Sequence, residues 1–154
     1  MKDVWLWIGI GLLGLLLVAA ITPTPVERAT WQTKLLPCDK DTAFQGSLEY
    51  LQDLGYTILN TIPETGLIST AYSSQAQLQG TLGRIEHLLI GERRFAATIM
   101  IRTVAANACN VRVNLIAEEW VSGSLWASGH WRQDEIYYDE HDYQKFFNGL
   151  LQRV

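Results

Sequence analysis

FAATIMIRTV at residues 95–104 and VRVNLIAEEW at residues 111–120 are the two clearest strands in the chain, and the fold follows from them. In the second, Val111, Val113, Leu115 and Ala117 share one face while Arg112, Asn114, Ile116 and Glu118 share the other. That alternation belongs to a sheet covered on one side. Residues 105–110 join the two runs as a hairpin and carry Cys109.

Upstream, YTILNTI (56–62) alternates as a strand, Pro63, Glu64, Thr65 and Gly66 turn the chain, and LISTAY (67–72) returns as its antiparallel partner. Before this hairpin, Phe44, Leu48, Leu51 and Leu54 recur at helical spacing, and Gly55 stands where a glycine ends a helix. With caps from the Asp39 to Thr42 cluster, the spacing predicts a helix over 42–54. TWQTKLL (30–36) reads as the first strand, ended by Pro37. At the other end, Asp139 is the predicted cap of a last helix, acids crowd its first turn, and Tyr143, Phe146, Phe147, Leu150 and Leu151 form its apolar stripe. Residues 73–94 separate the hairpins as an insert, with the polar run SSQAQLQG followed by Leu82, Ile85, Leu88 and Leu89 on one face of a short helix. That face either closes over its own domain or docks another subunit through Leu82, Ile85 and Leu89.

The order strand, helix, four strands, helix predicts an α+β fold over residues 30–154, a small antiparallel sheet of about five strands with two main helices on one face. If each element reverses direction, the end of the first strand and the turn between the fourth and fifth lie at the same end of the sheet. Cys38 and Cys109 then become neighbours. With no CxxC and no other thiol, a single Cys38–Cys109 disulfide in an oxidising compartment is the expected use; the alternative is two unrelated buried thiols.

The amino terminus carries a different signal. VWLWIGIGLLGLLLVAAI (4–21) has no charge and, as a helix, rises about 27 Å, against a hydrocarbon core of roughly 30 Å. Residues 1–21 are thus expected to form a single transmembrane anchor, with Trp5 and Trp7 at the interface and Leu12 and Leu16 in lipid. Val18, Ala19 and Ala20 offer the competing reading, a cleaved signal peptide, although the apolar run is longer than such a segment needs. Gly9, Gly11 and Gly14 match a dinucleotide fingerprint by letter only, since that motif needs a preceding strand and an open helix start. The alternating prolines of TPTP (22–25) predict a short stiff linker over 22–29. The expected location is the inner membrane, single-pass, with a cytoplasmic amino terminus and a periplasmic or otherwise extracytoplasmic domain.

LEYLQDLGYTILNTIPETGLIST (48–70) and DEHDYQKFFNGLL (139–151) resemble bacterial envelope lipoproteins with a helix-grip, TBP-like domain, of the kind found in a lipoprotein component of the outer-membrane β-barrel assembly machine. The resemblance covers about two thirds of the part after the apolar run, and it implies a binding or scaffolding module without an active site. The chain departs from that pattern in lacking a lipobox cysteine, in having a single such domain, and in the 73–94 insert.

Net charge is −4 with acids and bases interspersed, which leaves no broad basic face for a phosphate backbone, so nucleic acid is excluded as a partner. His130, His141 and the acids around them have no H-x-x-x-H pair or cysteine partner, so no metal or other cofactor is expected. Serines occur without a G-x-S-x-G elbow, and Glu118 and Glu119 point to opposite faces, so no catalytic constellation is expected either. WVSGSLWASGHW (120–131) concentrates three tryptophans and Leu125 in a glycine- and serine-rich loop. Trp120, Leu125, Trp126 and Trp131 are therefore candidate partner contacts, the alternative being that Trp120 and Trp131 close the core. These readings converge on a non-catalytic accessory or assembly subunit, with the lipid bilayer and other membrane-protein subunits as partners. The competing function is a lipid- or small-ligand-binding module with a cavity between sheet and helix.

Overall fold

The computed structural model describes residues 24–74, 92–123, 128–133 and 138–154. In chain order the elements are α1 (Pro25–Trp31), β1 (Thr33–Leu36), α2 (Lys40–Asp53), β2 (Ile58–Ile62), β3 (Leu67–Thr70), β4 (Arg93–Ala105), β5 (Ala108–Val121), β6 (His130–Gln133) and α3 (Glu140–Leu150). The strands form one antiparallel sheet in the order β1-β5-β4-β3-β2, with β6 pairing β5 as well. β1 takes residues 109–112 of β5 and β6 takes residues 118–121, so the two short strands share one edge of β5.

The long β4–β5 hairpin organises everything else. Phe95, Ala97, Ile99 and Ile101 on β4, and Cys109, Val111, Val113, Leu115 and Ala117 on β5, face the same side and are buried. Against them lie Phe44 and Leu51 of α2 and Phe146, Phe147 and Leu150 of α3, which join the sheet residues in one buried cluster. Each such Leu, Ile or Phe contributes about 2 kcal/mol by leaving water. The helices are fixed at their starts by side-chain caps. Asp39 accepts from the Thr42 amide at 2.9 Å, and Asp139 and Asp142 exchange bonds with one another's amides at 3.0 and 3.1 Å, a reciprocal box. Gly66 closes the β2–β3 turn at φ +74, where a Cβ would also overlap the Ile101 carbonyl oxygen. β2 is the outer strand at one end of the sheet, and its register breaks between Ile58 and Asn60 at a bulge that leaves Leu59 71% exposed.

The 113–117 stretch of β5, between β1 and β6, finds partners outside the strands. The Val113 amide donates to the Gln32 carbonyl at 2.8 Å, and the Leu115 amide donates to the buried Tyr143 hydroxyl at 3.3 Å. The same hydroxyl lies 3.2 Å from Gln32 Nε2, which also donates to Asn114 Oδ1 at 3.2 Å.

Several expectations are corrected. No helix of the described residues is long and apolar enough to cross a membrane. The three that form have 7, 14 and 11 residues, and at about 1.5 Å per residue each falls short of a bilayer core. On that finding the fold class that included a transmembrane helix is corrected to an antiparallel sheet of six strands with three helices among the described residues, and the single-pass inner-membrane location drawn from that helix falls with it. The anchor over 1–21, with Trp5, Trp7, Leu12 and Leu16, lies outside the described residues. The linker is partly helical: Thr24 caps α1, its amide and hydroxyl each donating to Glu27 at 2.8 Å, with Pro25 in the first turn where its missing N–H costs nothing. β1 consequently starts at Thr33 rather than residue 30. The sixth strand, β6, lies in the stretch read as a loop.

Candidate functional site: the second sheet face

The second face of the sheet carries no described helix. Because side chains alternate, the even-numbered residues of β4 and β5 occupy it, and the register places Arg94 beside Glu118, Met100 beside Arg112, and Arg102 beside Asn110. At the β6 end, Trp120 and Trp131 are direct cross-strand partners whose rings meet edge to face at 5.4 Å and 67°. Trp120 is 37% exposed, and its ring lies against Gly129, where any side chain would run into it.

Arg94 occupies the centre of this cluster. Its guanidinium sits 4.3 Å from the Tyr72 ring centroid and 4.3 Å from that of Trp131. Its charge is met by Glu118, with Nε to Oε2 at 2.8 Å and Nη2 to Oε2 at 2.6 Å. Tyr72 donates its hydroxyl to the other carboxylate oxygen of Glu118 at 2.7 Å. Burial, and then the Glu118 carboxylate, push the Tyr72 phenol above its usual range, which keeps that donor protonated. The result is an aromatic and guanidinium surface in which Tyr72, Arg94 and Glu118 hold one another. On the opposite side of β5, Glu119 is nearly buried and held by Arg132, with Nε to Oε1 at 3.0 Å, and by Arg93 at 3.9 Å. Glu118 and Glu119 are thus engaged separately, Glu118 by Arg94 and Glu119 by Arg132 and Arg93, and do not form a carboxylate pair.

Further along the same face a depression of about 310 Å³ is lined by Thr33, Met100, Arg102, Asn110 and Arg112. Arg112 reaches Gln32 Oε1 at 3.5 Å. At the far end of the sheet, on the core side, Cys38 Sγ lies 3.9 Å from Cys109 Sγ, with both thiols free; Cys109 is buried and Cys38 partly exposed. Burial, and then the neighbouring Cys38, push the Cys109 thiol up to about 12.

Of the residues singled out from sequence, Trp120 and Trp131 meet in one cluster, and Cys38 meets Cys109. Leu125, Trp126, Leu82, Ile85 and Leu89 lie outside the described residues. His130 and His141 are exposed. Arg94 and Tyr72 were not anticipated. The signal for Arg94 was its place on β4 opposite Glu118, readable only once the hairpin register is known. No protein-family model matches this chain, and no curated protein matches it.

Proposed function

We propose that this domain is a non-catalytic protein-binding module, an accessory or assembly subunit that holds a partner protein against the sheet face on which no described helix lies. The observation that carries this reading is the layer of Tyr72, Arg94 and Trp131, with Trp120 set edge to face against Trp131 and partly open to solvent. Tryptophan, tyrosine and arginine are the residues enriched at interface hot spots. Holding them in place beforehand reduces the ordering cost of association. The arrangement favours binding over catalysis because Glu118 and Glu119, the described acids beside the aromatic cluster, are both committed to ion pairs. The resemblance to helix-grip domains points the same way, toward scaffolding.

Trp120→Ala tests this. Removal of one hot-spot ring is expected to weaken co-purification with the partner by about tenfold or more, equivalent to at least ~1.4 kcal/mol. Trp120→Phe, which keeps an aromatic edge against Trp131, is expected to restore most of it. Unchanged recovery of the complex from the alanine variant would overturn the reading.

A further inference from the structure

We infer that the depression around Arg102 and Arg112 is a carboxylate-binding site that receives an acidic side chain of the partner protein. The inference rests on the proposed use of that sheet face and names the chemistry recognised there. Arg102 and Arg112 are diagonal neighbours across the β4–β5 ladder, on the same face. Like charges so placed repel. Arg94, Arg93 and Arg132 each have a carboxylate partner, as does Arg153, paired with Asp53 at 2.5 Å. Among the described residues no carboxylate meets Arg102 or Arg112, and the one polar contact of the pair is the 3.5 Å approach of Arg112 to Gln32 Oε1. In a chain of net charge −4 this is a local concentration of positive charge without an acid.

The lining supplies more than charge. Two guanidiniums provide the forked donors that match a carboxylate, and the Asn110 amide and Thr33 hydroxyl add donors at the rim. The register continues from this spot as one row across the sheet, Thr33, Arg112, Met100, Leu67 and Ile62. Its last three members are half-buried apolar side chains on the same face. An anion here therefore has an apolar surface beside it, which suits an acidic residue followed by an aliphatic one in an extended protein segment better than a free inorganic ion.

The test is a titration of the full 154-residue chain, with the arginine Nε–Hε signals followed by nuclear magnetic resonance. The probes are acetyl-Leu-Glu-Leu-Glu-Leu-amide, its glutamine counterpart and inorganic phosphate. Saturable shifts of Arg102 and Arg112 are expected with the glutamate peptide, with affinity about fivefold weaker for the glutamine peptide, the loss expected for two solvent-accessible ion pairs. The shifts should vanish in the Arg102→Gln/Arg112→Gln double variant, whose backbone spectrum should be otherwise unchanged because both side chains are exposed. Equal response to both peptides, or binding that survives the double substitution, would overturn the inference. So would a response to phosphate without one to the glutamate peptide, since the site would then take a free anion. If Trp120→Ala weakens the complex but the arginine variants do not, this inference fails while the module reading stands; the reverse pattern separates them the other way.

Discussion

Tyr143→Phe removes one oxygen atom and tests how the gap between β1 and β6 is closed. The phenol is 2% exposed and accepts from the Leu115 amide at 3.3 Å, with Gln32 Nε2 at 3.2 Å. Without it, the Gln32 amide keeps its bond to Asn114, but the Leu115 N–H faces an apolar ring edge on a buried stretch of β5. An orphaned buried amide costs about 1–3 kcal/mol. Taking ~2 kcal/mol, and an unfolding entropy of about 2.1 cal/mol/K per residue over roughly a hundred residues, Tm should fall by about 9 °C. Calorimetry gives the shift, and amide hydrogen exchange locates it: Leu115 should lose protection, while Ile99 on the neighbouring strand keeps its own. A fall of under about 2 °C with Leu115 still protected would show that this hydroxyl is not the partner that matters, and would refute the reasoning.

Three further outcomes follow from the geometry. Gly66→Ala combines a positive φ with overlap on the Ile101 carbonyl, and chemical denaturation should show a loss of about 3 kcal/mol or more; a loss below ~1 kcal/mol would mean the turn readily rearranges. Oxidised glutathione should convert the Cys38 and Cys109 thiols to one disulfide with release of two reduced glutathione molecules, because the sulfurs are already 3.9 Å apart. A loop of that span would add about 4 kcal/mol to stability, read as a raised denaturation midpoint and the loss of both thiols to a colorimetric titrant; two titratable thiols after oxidation would count against it. In the reduced protein, the Cys109 thiol is raised in the folded state, so its contribution is complete below the unfolded thiol's pKa and disappears as pH climbs toward about 12. Stability of the wild type relative to Cys109→Ala should therefore decline across the alkaline range, and a flat difference there would contradict the burial of this sulfur.

The periodic elements were legible in the sequence. β5 alternates so regularly that its buried face could be assigned residue by residue, and α3 announces both its cap at Asp139 and its stripe. What escaped has a physical reason in each case. Alternating threonine and proline suggested an extended linker, yet Thr24, Pro25 and Glu27 also compose a helix start, and the reciprocal Thr24–Glu27 bonds decided in favour of α1. β6 has four residues, HWRQ, too few to show alternation, and it exists because β5 runs on past the reach of β1 and offers a free edge. The tryptophans at positions 120 and 131 stood out as excess apolar surface, whereas Arg94 and Tyr72 join them only through strand register, which local patterning does not encode.

The bulge on β2 bears on how the molecule behaves at high concentration. A flat outer strand would offer its amides and carbonyls as a template on which a second copy could add, the first step toward a fibril. By breaking the spacing at Leu59, this chain interrupts the ladder at the second residue of this five-residue edge strand. Restoring an unbroken register there would be expected to create a polymerising variant, even though no core residue had changed.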